Sequence, residues 1–209
     1  MELLPVFLYL KLSDMDKLIL ASSSPRRAAI LTKFGVPFSV KPSSYEETFT
    51  KEHPDIQVLN LSQKKVLSLL EANSHLNDSI ILGADTCINL DGNIIGKPKS
   101  KIEAKAHLIS FSGRTHQVIT ALTLYNGNTG QYIQEISVTD VTFAKLSTKE
   151  INWYLGTMEW KDVAGSYRIQ EKGALLINSI SGSWYNVMGL PIRLFYGMVA
   201  TQGLNLFSI

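Results

Sequence analysis

Apolar positions along the chain fall into short runs separated by helical stripes, and polar caps and turns mark most of the joints. Lys17–Ala21 is a short apolar run that predicts a strand and ends in Ser22-Ser23-Ser24-Pro25. Serine before proline is a helix-start signal: Ser24 can cap, and Pro25 suits the first helical position. The helix continues through Arg26, Arg27, Ala28, Ile30 and Leu31 and stops at Gly35, with a short strand over Pro37–Val40. Pro54 opens a longer helix carrying Val58, Leu61, Val66, Leu69 and Leu70, which fades near Asn73. Ser79–Leu82 predicts a buried strand that delivers Gly83-Ala84-Asp85-Thr86, and Asp91-Gly92 marks a hairpin turn between Ile88–Leu90 and Ile94-Ile95.

Farther along, Ser100 with Glu103 and Ser147 with Glu150 form capping boxes for two more helices. Thr115–Leu124 and Tyr132–Phe143 read as long strands, Gly173–Ile177 as a short one, and Pro191 begins a last helix that stops near Gly203. Hairpins thus mix with crossovers, which predicts an α/β protein with a mixed sheet. Residues 1–15 read as an extension, with Met15 an alternative start, and residues 16–209 as a single domain.

Composition narrows the function. A net charge of +2 without any Lys/Arg block excludes a general nucleic-acid binder, so an anionic ligand has to be held by local geometry. The single cysteine, Cys87, rules out an internal disulfide framework and a cysteine-rich zinc site, which suits the cytoplasm. The apolar start, Met1 to Leu10, lacks a basic leader and is too short to span a bilayer, so no membrane is expected. His53, His75, His107 and His116 make no His-x-x-x-His pair, and no Gly-x-Ser-x-Gly elbow occurs, which disfavours a zinc enzyme and a serine hydrolase.

Three segments carry candidate chemistry. A strand running through Ser22–Arg27 into a helix leaves backbone N–H groups pointing at an anion, with hydroxyls and two guanidiniums as further donors. Read blandly, the same segment is a capped surface helix. Asp85 follows an apolar strand beside Gly83, where a carboxylate can bind a divalent cation, take a proton from water, or merely cap a turn. Gly96-Lys97-Pro98-Lys99 lacks the spacing and the Ser/Thr of a P-loop but places two lysines on a rigid loop. Glu46-Glu47 can join Asp85 around magnesium or be plain surface charge, and Lys64 is either functional or a snorkelling surface side chain. Trp153, Trp160 and Trp184 read as core or dimer surface.

In sequence order, Ala21–Arg27, Gly83–Thr86, Gly96–Pro98, Ser112–Thr120, Ala164–Tyr167 with Ile169-Gln170, and Tyr185–Pro191 resemble the motifs of the Maf family of nucleotide pyrophosphatases. The resemblance covers roughly residues 17–200. It implies a two-lobed fold around a central cleft, similar to inosine triphosphate pyrophosphatases, and a cytoplasmic homodimer. It also implies metal-dependent (Mg²⁺ or Mn²⁺) conversion of a nucleoside triphosphate to the monophosphate and pyrophosphate. Carried over by position, Asp85 becomes general base or metal-linked carboxylate, and Lys97 a charge stabiliser. Ser22, Ser24, Arg26 and Arg27 become phosphate holders, Glu46 or Glu47 a metal ligand, and Lys64 the lysine of the long helix.

Thr86, Arg26 and Gln170 resemble the branch acting on dTTP and UTP, and a glutamine amide suits a pyrimidine because it both donates and accepts. The chain departs from the family pattern at Val163, where Lys is frequent, and at Arg168, Glu171 and Lys172, in a stretch usually richer in glycine. Ser44 and Tyr45 alter the start of the acidic motif. The competing expectation is a non-catalytic, nucleotide-sensing regulator of cell division that uses the same cleft.

Overall fold

The protein is described by a computed structural model covering residues 18–45, 52–204 and 206. The proposed extension at residues 1–15 and the acidic pair Glu46-Glu47 lie outside the described residues. One seven-stranded mixed sheet runs β2-β1-β3-β5-β6-β7, with β4 attached to β3. Here β1 is Leu18–Leu20, β2 Ser39–Val40, β3 Ile80–Leu90, β4 Asn93–Ile95, β5 Thr115–Asn126, β6 Gln131–Phe143 and β7 Ile177–Ser181. Strand β1 is parallel to β2 and β3, and the remaining pairs are antiparallel.

The helices are α1 (Pro25–Lys33), α2 (Pro54–Ala72), α3 (Lys101–Phe111), α4 (Thr148–Gly156), α5 (Trp184–Val187) and α6 (Ile192–Thr201). Period-two alternation along β3 sorts them onto two faces. Ile80, Leu82 and Ala84 pack with Ile30 and Leu31 of α1 and Phe195 and Val199 of α6. Ile81, on the opposite face, packs with Val66 and Leu69 of α2. Because β2 and β3 flank β1 and are reached by helices on opposite faces, the carboxyl end of β1 is a topological switch point, where open α/β sheets bind ligands.

Two hydrophobic cores share the α1 face of the long strands. Beyond Ala84 and Leu122 the apolar series is interrupted by Thr86 and Thr120, whose hydroxyls are 3.0 Å apart. It resumes at Ile88 and Val118 in a second core with α3, α4 and Trp160. A polar seam therefore separates two lobes built on one sheet.

The structure departs from the sequence expectations at several places. Asp85 lies inside β3 rather than after a strand, because pairing with β5 is unbroken from Ile80 to Asn89. Gly83 lies inside the same strand and lets α2 approach, since a Cβ would stand 2.3 Å from the Ser62 carbonyl oxygen. Lys172–Leu176 forms a 3₁₀ turn and the strand begins only at Ile177. Ser24 occupies the N-cap of α1 but makes no side-chain cap bond. The Asp91-Gly92 turn is as expected, with φ of 53° and 83°, both positive. Trp160 is buried, whereas Trp153 and Trp184 are exposed.

Candidate active site

Strand β3 has β5 along one side, but its other side is only partly covered. Strand β1 pairs with Leu82 and stops, and β4 pairs from Ile88 onward. Residues 83–87 therefore face a gap, and a cavity of about 710 Å³ opens there. Its walls include Ser22, Ser23, Ser24, Arg26 and Arg27 from the start of α1, Lys65 from α2, Asp85 and Thr86 from β3, and Lys97. Asp162, Tyr167, Arg168 and Gln170 from the loop before β7, and Met188 and Gly189, complete it.

Asp85 projects toward α2 and is 5% exposed. Lys65 Nζ donates to Asp85 Oδ1 at 2.6 Å and to the Ala84 carbonyl at 3.4 Å. The lysine stands on the buried stripe Val58, Leu61, Ser62, Lys65, Val66, Leu69, a helical spacing of three and four. Lys64, chosen from the sequence, is one residue off this stripe, about 100° around the helix. Its ammonium lies 5.3 Å from the centre of the Tyr45 ring instead. The lysine that meets the carboxylate is Lys65.

Arg27 is 8% exposed and braces the site. Its Nε donates to the Gly189 carbonyl at 2.8 Å, Nη1 to Ser22 Oγ at 2.9 Å, and Nη2 to Thr86 Oγ1 at 3.0 Å. These bonds tie α1 to β3 and to the Gly189 turn, where φ is 100° and a Cβ would press 3.4 Å from Thr86 Oγ1. Ser22 Oγ also accepts from the Ser24 N–H at 3.2 Å, so the Ser22–Ser24 turn is pre-shaped at the helix N-terminus. Arg26 is half-buried, and its pKa is held below the usual guanidinium value first by burial, then by the like charges of Arg168 and Arg27.

The far wall is fixed from beneath. The Gly165 N–H donates to the Gly96 carbonyl at 3.0 Å, which ties the loop before Gln170 to the one carrying Lys97. Tyr167 OH pairs with His116 Nε2 at 2.8 Å, and burial pushes that imidazole down to about 4. Among the described residues no group of three or more His, Cys, Asp and Glu could hold a metal ion. Asp85 and Asp162 are the carboxylates that line the cavity among the described residues. Lys65, Asp162 and Arg168 were missed on the sequence as site residues, although helical periodicity would have preferred Lys65 to Lys64.

A helix N-terminus and several cations around one polar cavity at a switch point define an α/β protein built for a phosphorylated ligand. Residues 17–202 match the family described as Maf-like protein, and the chain belongs to the Maf family. It is 41% identical over 182 residues to a dTTP/UTP pyrophosphatase of Pyrococcus abyssi, covering 87% of this chain and 94% of that one. It is 43% identical over 179 residues to a dTTP/UTP pyrophosphatase of Pyrococcus furiosus, covering 85% and 91%. A dTTP/UTP pyrophosphatase of Clostridium acetobutylicum is 38% identical over 198 residues, covering 91% of this chain and 100% of its own length.

Proposed function

We propose that the protein hydrolyses dTTP and UTP to the monophosphate and pyrophosphate, with Asp85 as the base that activates water. The observation that carries this reading is the buried Lys65–Asp85 pair at the sheet gap, facing the Ser22–Arg27 turn across one cavity. Family membership and relatives named for that activity support it.

In this reading the triphosphate lies against the N-terminus of α1, where the Ser22–Ser24 turn and Arg26 hold its oxygens and Arg27 keeps that wall rigid. Lys97 faces the same chain of phosphates from the opposite loop. Lys65 orients Asp85, which takes a proton as water attacks; the α–β bridging bond breaks and pyrophosphate leaves. A hard cation such as Mg²⁺ or Mn²⁺ would be held by Asp85 together with phosphate oxygens of the substrate, the ligands such ions prefer, with Glu46 or Glu47, outside the described residues, as the proposed further carboxylate. When bound, it would neutralise the phosphate oxygens.

Gln170 lines the cavity and reads the pyrimidine, while the Thr86 hydroxyl acts through Arg27 and Thr120, its hydrogen-bond partners. A cytoplasmic homodimer is the setting this reading expects. Among the described residues, no helix is long and apolar enough to cross a membrane. Pyrophosphate release from a panel of ribo- and deoxynucleoside triphosphates tests the proposal, with dTTP and UTP expected to lead. Tight binding with no turnover of any of them would favour the regulatory alternative.

A further inference from the structure

Arg168, in the loop between Tyr167 and Gln170, lines the same cavity as the N-terminus of α1. Its guanidinium is anchored at one corner, where Nη2 donates to the Lys161 carbonyl at 3.0 Å. The Nε is buried and has no hydrogen-bond partner. No described carboxylate lies within ion-pair distance of Arg168. Glu159, the nearby acid, has Lys172 Nζ at 3.5 Å instead. Arg26 reaches the same cavity from α1, and it too has no described carboxylate partner. Burial, and after it the like charges of Arg168 and Arg27, hold the Arg26 pKa below the usual guanidinium value.

Two half-buried guanidiniums lining one cavity, each without a carboxylate partner among the described residues, repel each other until an anion lies between them. A neutral base carbonyl cannot compensate two positive charges, whereas a phosphate carries both the charge and the oxygens to accept from two planar forks. From this we infer that Arg26 and Arg168 clamp one phosphate of the substrate between them, making Arg168 a substrate-holding residue. The inference rests on the nucleoside triphosphate reading of the site and adds to it a cation at a position where the sequence departs from the family's glycine-rich pattern. Because the loop is also pinned by the Arg168 backbone N–H, which donates to Tyr154 OH at 3.1 Å, removing the side chain leaves that anchor in place.

The test compares the unmodified protein with Arg168→Gln and Arg168→Lys in magnesium buffer, using dTTP turnover, inhibition by inorganic pyrophosphate, and binding of thymidine. Arg168→Gln is expected to raise the dTTP KM and to weaken pyrophosphate inhibition, each by about tenfold, as fits loss of charge-assisted hydrogen bonds. Arg168→Lys should fall between, and thymidine binding should not change. Unchanged KM and unchanged pyrophosphate inhibition would overturn the clamp. So would a raised dTTP KM with intact pyrophosphate inhibition, which would place Arg168 at the base. If the unmodified protein turned over no nucleotide, the hydrolase reading would fail by itself. Calorimetric titration of pyrophosphate into the same three proteins would still decide the clamp, by a tenfold loss or none.

Discussion

Lys65 Nζ lies 2.6 Å from Asp85 Oδ1, and both side chains are under a tenth exposed. A buried pair of this kind is a weak source of net stability, but removing one partner is strongly destabilising. The pair is thus best understood as a device that fixes the direction of the carboxylate.

Lysine substitutions on α2 separate the two candidates. Lys65→Met is expected to lower kcat for dTTP at least a hundredfold and to lower the unfolding free energy by about 3–5 kcal/mol. Lys64→Met loses only its contact with Tyr45 and should cost a small fraction of either. Turnover measured beside urea denaturation checks both, and equal losses in the two variants would contradict the assignment.

Much of this site was legible in the sequence, but at the level of segments. The Ser22–Arg27 turn, Asp85, Lys97 and Gln170 all reach the cavity, because the apolar runs, helix starts and loops that carry them are encoded locally. Arg27 was read as a phosphate holder, yet three of its donors brace Gly189, Ser22 and Thr86. That bracing depends on contacts up to 162 residues apart, which no local pattern contains. Likewise the sequence predicts a strand over Ser79–Leu82 only, with Gly83 following it. Pairing with β5 along ten residues and the fit of α2 against Gly83 extend the strand beyond that point. The sequence reading names Lys64 alone, whereas the apolar stripe of α2 runs through Lys65.

Gly83 supplies a second check. Adding a Cβ sets it against the Ser62 carbonyl and a Val66 methyl, at 2.3 and 2.6 Å, so α2 must retreat from β3. Gly83→Ala should destabilise the fold by roughly 1–3 kcal/mol and reduce turnover further than that loss explains, by moving Lys65 away from Asp85. Thermal melts and kcat below the melting range measure the two effects separately.

Stability should also depend on His116. Its imidazole is held neutral by burial, with its pKa lowered to about 4 from the ordinary 6.5. Between those values the unfolded chain binds the proton and the folded one does not, so stability rises with pH through that window. It is fully present above pH 6.5 and is lost progressively as pH falls toward 4. His116→Gln should have a lower melting temperature at pH 7 but a flatter decline between pH 6.5 and 4. A decline as steep as that of the unmodified protein would show that other groups set it.

Gln170 carries the choice of base in this account. Gln170→Leu should raise the KM for dTTP and UTP by about tenfold, since the pyrimidine edge loses its paired donor and acceptor, with little effect on pyrophosphate inhibition. Kinetics on both nucleotides beside pyrophosphate titration separate this base contact from a phosphate contact.

Asp85 is proposed to activate water at a site whose grip on the triphosphate comes chiefly from the Ser22–Ser24 turn, Arg26 and Lys97. Asp85→Asn keeps the shape of the side chain but cannot take the proton. Pyrophosphate release from dTTP, measured with magnesium alongside dTTP binding, should fall by roughly 10²–10⁴-fold in this variant while nucleotide binding persists. Release at the unmodified rate by Asp85→Asn would contradict the account.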